Sequence, residues 1–262
     1  MKTGTRPALT LAMLDLTSSA PRLSLDKLHV LVSGGTTGIG RAIALKLAEA
    51  GARVFIFGRH EKELKDALSA GRDCKGTLEG MTADQSDPAQ VEKVFAEVDR
   101  RFPRLDVMVN NAAIGGDDLL AETDAEIEMQ VKTNLCGYLY CARQALLRMK
   151  RRKAGHLINI GSISAENLKA GGEIYTATKS ANRAFSESIR KSVQDCGIKV
   201  TLVEPGKTGS DMIELPDEEK REQQAVLEMM KAEDVAEAVC FCLTLPRRAV
   251  ITSLQIEPFR HQ

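Results

Sequence analysis

His29-Val-Leu-Val-Ser-Gly-Gly-Thr-Thr-Gly-Ile-Gly-Arg-Ala-Ile-Ala-Leu-Lys-Leu-Ala-Glu-Ala50 contains a strand, a turn and a helix in direct succession. The apolar run from His29 to Val32 reads as a buried strand, and Arg41 to Ala50 places apolar residues at helical spacing. Between them lies the glycine-rich turn Ser33-Gly-Gly-Thr-Thr-Gly-Ile-Gly40. Such a turn lets the backbone approach a diphosphate, whose charge is met by free amide N–H groups at the helix N-terminus. A glycine cluster alone is more often a plain turn; here the strand and helix that the motif requires both flank it.

The alternation continues along the chain. Gly51 closes the helix, Arg53 to Phe57 is a second strand, Glu61 to Ala70 a helix, and Gly76 to Ala83 a third strand ending at Asp84. Asp87-Pro88 starts the next helix as an N-cap followed by proline at the first helical position. Leu105 to Val109 is a fourth strand, Glu122 to Lys153 is helical with a break near Thr133-Asn134, and His156 to Ile160 is a fifth strand. A helix then runs from Tyr175 through Arg190 toward Gly197, followed by a strand at Ile198 to Val203, a helix at Ala232 to Leu245 and an alternating strand at Ala249 to Glu257. This pattern predicts an α/β fold, a doubly wound parallel sheet (Rossmann fold) of about seven strands with helices on both faces. Residues 27–262 read as one such domain, and residues 1–26 as a flexible N-terminal extension.

Composition narrows the function classes. The 262 residues are 43% hydrophobic, enough for one sizeable α/β core. Lys+Arg and Asp+Glu both number 36, so no global field favours nucleic acid or an anionic membrane. Six scattered cysteines form no Cys-x-x-Cys pair and meet no histidine at metal spacing; they read as incidental thiols of a reducing, cytoplasmic setting. No stretch approaches the roughly 18 apolar residues of a membrane span. Near the N-terminus, Ala8 to Leu14 is short, broken by Thr10 and followed by Asp15, which argues against a secretory signal. A transit peptide using Lys2, Arg6 and Arg22 is the other reading of this segment.

The chemistry-bearing stretch is Ser162-Ile-Ser-Ala-Glu-Asn-Leu-Lys-Ala-Gly-Gly-Glu-Ile-Tyr-Thr-Ala-Thr-Lys179. Tyr175 and Lys179 are four apart and share a helix face, where an ammonium beside a phenol favours the phenolate. A phenol titrates near pH ~10 when unperturbed, so a neighbouring cation is what brings it toward use as an acid/base near neutrality. The spacing alone arises by chance on many amphipathic helices. What adds weight is that Ser162 follows a buried strand, where ligands of open α/β sheets bind.

A strand ending in Ile-Gly-Ser, a tyrosine thirteen residues on and a lysine four later resemble the short-chain dehydrogenase/reductase family, of the NADP(H)-dependent type with a Tyr-x-x-x-Lys active site. The resemblance runs from about Leu28 to the C-terminus. Gly34, Gly38 and Gly40 match the family's Thr-Gly-x-x-x-Gly-x-Gly, with Ser33 in place of threonine. This implies a cofactor cradle made of Ser33, Gly34, Thr36, Thr37, Gly38, Ile39 and Gly40.

Other matches extend the implied site. At the end of the second strand the chain reads Gly58-Arg59-His60. An acidic residue there would suit the ribose hydroxyls of NAD, whereas Arg59 suits a 2′-phosphate and implies NADP(H) preferred over NAD(H). The other reading of Arg59 is a solvated arginine. Asp84 resembles the family's contact to the adenine amino group, or is a turn or capping aspartate. Asn110-Asn-Ala-Ala resembles Asn-Asn-Ala-Gly, with Ala113 at the usual glycine, and implies that Asn111 and Ala112 border the adenosine ribose. Pro205 and Gly206 match the segment that meets the nicotinamide carboxamide, with Thr208 and Ser210 replacing its valine and threonine.

The implied activity is reversible hydride transfer between NADP(H) and a small-molecule carbonyl/alcohol substrate. In the family's scheme Tyr175 is the acid/base, Lys179 lowers its pKa and holds the nicotinamide ribose, and Ser162 orients the carbonyl oxygen. Asn134 matches the residue whose backbone distorts its helix and whose carbonyl holds a relay water. The helices before and after the site imply a homodimer or homotetramer, with Ala177, Ala181 and Ala184 permitting close approach; facing the sheet is their other reading. Ile213 to Lys231 reads as a mobile lid. An NADPH-binding regulator without turnover is the alternative from another class. A serine hydrolase lacks its Gly-x-Ser-x-Gly elbow here, and an extended-branch epimerase would need a different glycine turn and a larger C-terminal region.

Overall fold

The computed structural model describes residues 23–168, 170–213 and 215–260, so the expected extension lies outside the described residues as far as residue 22. Seven strands form one parallel sheet: β1 (His29–Ser33), β2 (Arg53–Gly58), β3 (Thr77–Thr82), β4 (Val107–Asn110), β5 (Gly155–Ile160), β6 (Ile198–Pro205) and, last in the chain, β9 (Ser253–Ile256). Their spatial order is β3-β2-β1-β4-β5-β6-β9. The order reverses between β1 and β4, which opens a crevice beyond their carboxyl ends.

Side-chain alternation explains why both sheet faces are covered. Val30, Val32, Val54, Ile56, Val107 and Val109 enter one apolar layer together with α1 (Gly38–Glu49), α2 (Glu61–Ala70) and α8 (Ala232–Thr244). Leu31, Phe55, Phe57, Met108 and Leu157 point the other way, under α3 (Pro88–Arg101), α5 (Gly137–Arg152) and the 21-residue α6 (Glu173–Val193). Each such side chain contributes roughly 1.5–3 kcal/mol of transfer free energy, so a one-residue slip would be severely penalised. The near-continuous apolar strands of the sequence are therefore the cause of the doubly wound form.

The helix starts are locally encoded. The Asp87 side chain accepts from Ala89 N and Gln90 N ahead of Pro88, as the sequence implied. Thr123 and Glu126 form a reciprocal capping box at α4 (Asp124–Val131). The expected break at Thr133-Asn134 is a π-helical turn, Lys132–Cys136, between α4 and α5. Past β6, the two-residue strands β7 (Thr208–Gly209) and β8 (Met230–Lys231) pair in parallel, with α7 (Asp217–Ala225) between them. Leu23 N donates to Thr244 O at 2.8 Å, which ties the first described residue to the body of the fold.

Candidate active site

The glycine turn is built from both sides of the crevice. Ser33 Oγ accepts from the backbone N–H groups of Asn111 (3.0 Å) and Ala112 (3.2 Å), while Asn111 Nδ2 donates to the carbonyls of Ser33 and Gly34, each at 3.1 Å. Ser33 and Asn111 thus spend their polar atoms clamping the turn to the end of β4. Gly40 sits against this clamp: a Cβ there would lie 2.1 Å from the Gly34 carbonyl oxygen. Thr37, the N-cap of α1, makes no side-chain capping bond. The first-turn N–H groups of α1 therefore face the crevice without an intrahelical acceptor, and the cradle fits an anionic diphosphate.

The other residues expected around a dinucleotide take distinct places. A Cβ at Gly58 would meet Thr36 Oγ1 at 2.5 Å, so Thr36 occupies the space where an acidic side chain at this strand end would stand. The neighbouring Arg59 is exposed and makes no hydrogen bond or ion pair to a described residue. Asp84 Oδ1 accepts from Ser86 N at 2.8 Å, an aspartate turn that leaves its second oxygen for other donors. Ile39 packs against the α1-side core, and Ala112 O accepts from Gln85. Across the crevice, Gly206 N is bonded to Ile256 O at 2.8 Å and Thr208 Oγ1 to Gly206 O at 2.9 Å, so Pro205 to Thr208 is a rigid shelf. Ser210 overlies the turn, its Cβ 3.2 Å from where a side chain on Gly38 would start.

Ser162, Tyr175, Lys179 and Asn134 come together where β5 ends. The Ser162 hydroxyl donates to Ser164 Oγ (3.0 Å) and accepts from Ser164 N (3.1 Å), which holds its oxygen in place. Asn134, fully buried, exchanges two hydrogen bonds with the backbone of Ile114, both at 2.8 Å, and so holds the segment after β4 onto the π turn. Lys179 Nζ donates to Ile160 O at 2.9 Å and lies 5.5 Å from the Tyr175 ring centroid. Burial lowers the Lys179 ammonium to about 7. Burial raises the Tyr175 phenol, and contact with the Ser162 hydroxyl pulls it partly back. This differs from the expected lowering by Lys179, because the ammonium is docked on a carbonyl and itself poised near neutrality.

Three residues that the sequence reading passed over complete the site. Tyr138 is fully buried, and its hydroxyl donates to the same Ile160 carbonyl at 2.9 Å. Asn182 Nδ2 donates to Asn134 O at 2.8 Å. Gln85 Nε2 donates to Ala112 O and Thr133 O, each at 2.7 Å, and so joins the cradle to the π turn. The signal for Asn182 was present in α6, where Thr178, Lys179, Asn182 and Ser186 set polar groups along the face that the helix buries.

A family model described as short chain dehydrogenase matches residues 28–221. The chain belongs to the short chain dehydrogenase family. This short chain dehydrogenase is 33% identical over 217 residues to the 3-oxoacyl-[acyl-carrier-protein] reductase of Bos taurus, covering 82% of this chain and 90% of that protein. It is 30% identical over 237 residues to an uncharacterized oxidoreductase of Staphylococcus aureus (strain USA300), covering 89% of this chain and 97% of that protein. Among solved structures, a short chain dehydrogenase from Burkholderia cenocepacia J2315 in complex with NADP superposes with a TM-score of 0.80 at 27% identity, over 90% of this chain and 98% of that one. A metagenomic short-chain oxidoreductase in complex with NADP gives 0.78 at 27% identity, over 91% of this chain and 100% of that one. Among the described residues of this dehydrogenase, no helix is long and apolar enough to cross a membrane.

Proposed function

We propose that this short chain dehydrogenase transfers a hydride reversibly between NADP(H) and a carbonyl/alcohol pair, with Tyr175 as the acid/base. The observation that supports it most is the convergence of Ser162, Tyr175 and Lys179 beyond β5, at the sheet end that also carries the glycine turn. The nicotinamide, when bound, supplies or accepts the hydride. The chain does the rest. The α1 N-terminus and the Ser33–Gly40 turn hold the diphosphate, with Arg59 for the 2′-phosphate, Asp84, Asn111 and Ala112 at the adenosine, and the Pro205–Ser210 shelf at the nicotinamide end. Ser162 turns its hydroxyl proton from Ser164 Oγ to the substrate oxygen. Tyr175 delivers its proton to that oxygen in reduction, and its raised pKa keeps the phenol protonated for this step. Lys179 supplies charge beside the phenol, and Asn134 keeps the post-β4 segment in place.

The test is a panel of β-keto acyl thioesters, semialdehydes, sugars and steroids, run with NADPH and NADH in parallel. Tyr175→Phe should abolish turnover on the active substrate while leaving NADPH binding nearly intact. Retained carbonyl reduction by that variant rejects the assignment. Binding of NADPH with no oxidation across the panel would instead favour a regulator.

The same reading extends to a partner, a second copy of this chain. Leu139 and Leu147 are exposed and, with Leu146, Phe185, Ile189 and Val193, line an apolar groove between α5 and α6. Ala177 and Ala184 are exposed and Ala181 is half-buried, which suits close helix approach across a two-fold axis. Light scattering on the purified protein distinguishes dimer or tetramer from monomer. Six free thiols suit a reducing, cytoplasmic setting.

A further inference from the structure

Lys179 Nζ lies between two aromatic rings, 5.2 Å from the Tyr138 centroid and 5.5 Å from the Tyr175 centroid. The Tyr138 hydroxyl gives its proton to Ile160 O at 2.9 Å, so its lone pairs are turned toward Lys179 Nζ at 3.4 Å. Ile160 O accepts from both groups, closing a small triangle inside the protein. All three members come from different elements: α5, β5 and α6.

This triangle is wired into the π turn. Asn110 Nδ2 donates to Tyr138 O (3.1 Å) and to Asn159 Oδ1 (3.0 Å), and Asn159 Nδ2 donates to Ser186 Oγ (2.8 Å). Ser186 Oγ donates to Asn182 O (2.7 Å), and Asn182 Nδ2 donates to Asn134 O (2.8 Å). Every residue of this chain is buried. An unbroken hydrogen-bonded path therefore runs from the residue that docks the lysine to the asparagine of the π turn. A buried polar network of this kind fixes one arrangement strongly, since each member left unpaired costs its full desolvation.

We propose that Tyr138 is a positioning residue for Lys179: its phenol oxygen and ring, with the Ile160 carbonyl, form a dock that holds the ammonium charged beside Tyr175. The proposal rests on the active-site reading above, and it deepens that reading by assigning a role to the fully buried tyrosine of α5. The only titratable side chains facing Lys179 Nζ among the described residues are Tyr138 from α5 and Tyr175 from its own helix. A lysine this deeply buried keeps its charge only through its acceptors and the π faces beside it. Removing one acceptor shifts the balance toward the neutral amine.

The test needs no substrate. With lysines labelled at Cε, carbon NMR follows each amine, and Lys179 is the one that titrates near neutrality and disappears in Lys179→Met. Tyr138→Phe keeps the ring and deletes the acceptor, and should lower the Lys179 midpoint by about half a pH unit or more. Tyr140→Phe, which changes the third tyrosine of the chain, should leave it unmoved. An unchanged or raised midpoint in Tyr138→Phe overturns the proposal, as does an equal fall in Tyr140→Phe. If Tyr138→Phe does not fold, 3-fluorotyrosine incorporated into Tyr175→Phe protein weakens the same acceptor and should lower the midpoint likewise; no fall there overturns the proposal. Loss of the active-site reading would show separately, as turnover by Tyr175→Phe.

Discussion

Asn182 donates its side-chain amide to the backbone carbonyl of Asn134 at 2.8 Å, and both residues are fully buried. The family resemblance puts a relay water on that carbonyl. In this protein one of its two lone pairs already belongs to α6, so the π turn is pinned by the helix that carries Tyr175 and Lys179.

Asn182→Leu should therefore destabilise the fold by about 1–3 kcal/mol, since it strips a buried acceptor and interrupts the path to Ser186. Denaturant unfolding with an unchanged slope is the measurement. A change of less than ~0.5 kcal/mol would mean that the bond contributes no more than an ordinary surface contact.

Lys179→Met should raise the stability of the cofactor-free protein, because a buried amine is replaced by an apolar side chain of similar length. The folded lysine titrates at about 7 and the unfolded one near the ordinary lysine value of 10.5. Between those values the unfolded chain binds a proton that the folded chain lacks, so wild-type stability rises with pH across that window. The gain in melting temperature should be largest at and below pH ~7 and shrink toward pH ~10. A constant gap across that range would contradict the burial-driven shift.

Gly40→Ala places a Cβ 2.1 Å from Gly34 O and 2.4 Å from Asn111 Nδ2, so the clamp between turn and β4 must open. NADPH affinity should fall at least about tenfold and stability by about 2 kcal/mol. Gly115→Ala, where a Cβ meets only Met212 Cγ at 3.4 Å, is the matched control and should stay within about 0.5 kcal/mol. Fluorescence titration and thermal melts on both variants separate the two effects.

Arg59→Glu should weaken NADPH binding by about 10–100-fold while leaving NADH binding unchanged or tighter, through loss of a charge-assisted contact and addition of a like charge. Direct titration with both nucleotides decides this. Equal losses for the two would place Arg59 outside the 2′-phosphate site.

The doubly wound sheet was legible because β1, β2, β4 and β5 are apolar on both faces and are separated by helices, one with a readable start at Pro88, while α1 begins at Gly38, three residues before the expected Arg41. Their alternation between two buried layers leaves one consistent arrangement. Edges were blurred where burial is shared: β3 is half-buried only between its exposed ends Thr77 and Thr82 and is shorter than its composition suggested. The tyrosine, lysine and serine were legible from local spacing. The Tyr138 dock was not, because Tyr138 lies 41 residues and Ile160 19 residues from Lys179, and they are joined only by packing of α5 against β5 and α6. Asn110 and Asn159 inside apolar strands, and Asn182 and Ser186 on the buried stripe of α6, were the available hints. Each is a polar residue in a core position, which a folded chain retains only with a partner.

The pairing of Thr208–Gly209 with Met230–Lys231 brings the two ends of the intervening segment side by side, and α7 within it buries no residue. Closing such a loop costs entropy that grows only with the logarithm of its length, about 0.6 kcal/mol per doubling. A change in the length or sequence of this segment is thus cheap in closure entropy, while the sheet and the cluster of Ser162, Tyr175 and Lys179 stay as they are. Relatives that share that cluster are expected to diverge first in the stretch between these two short strands.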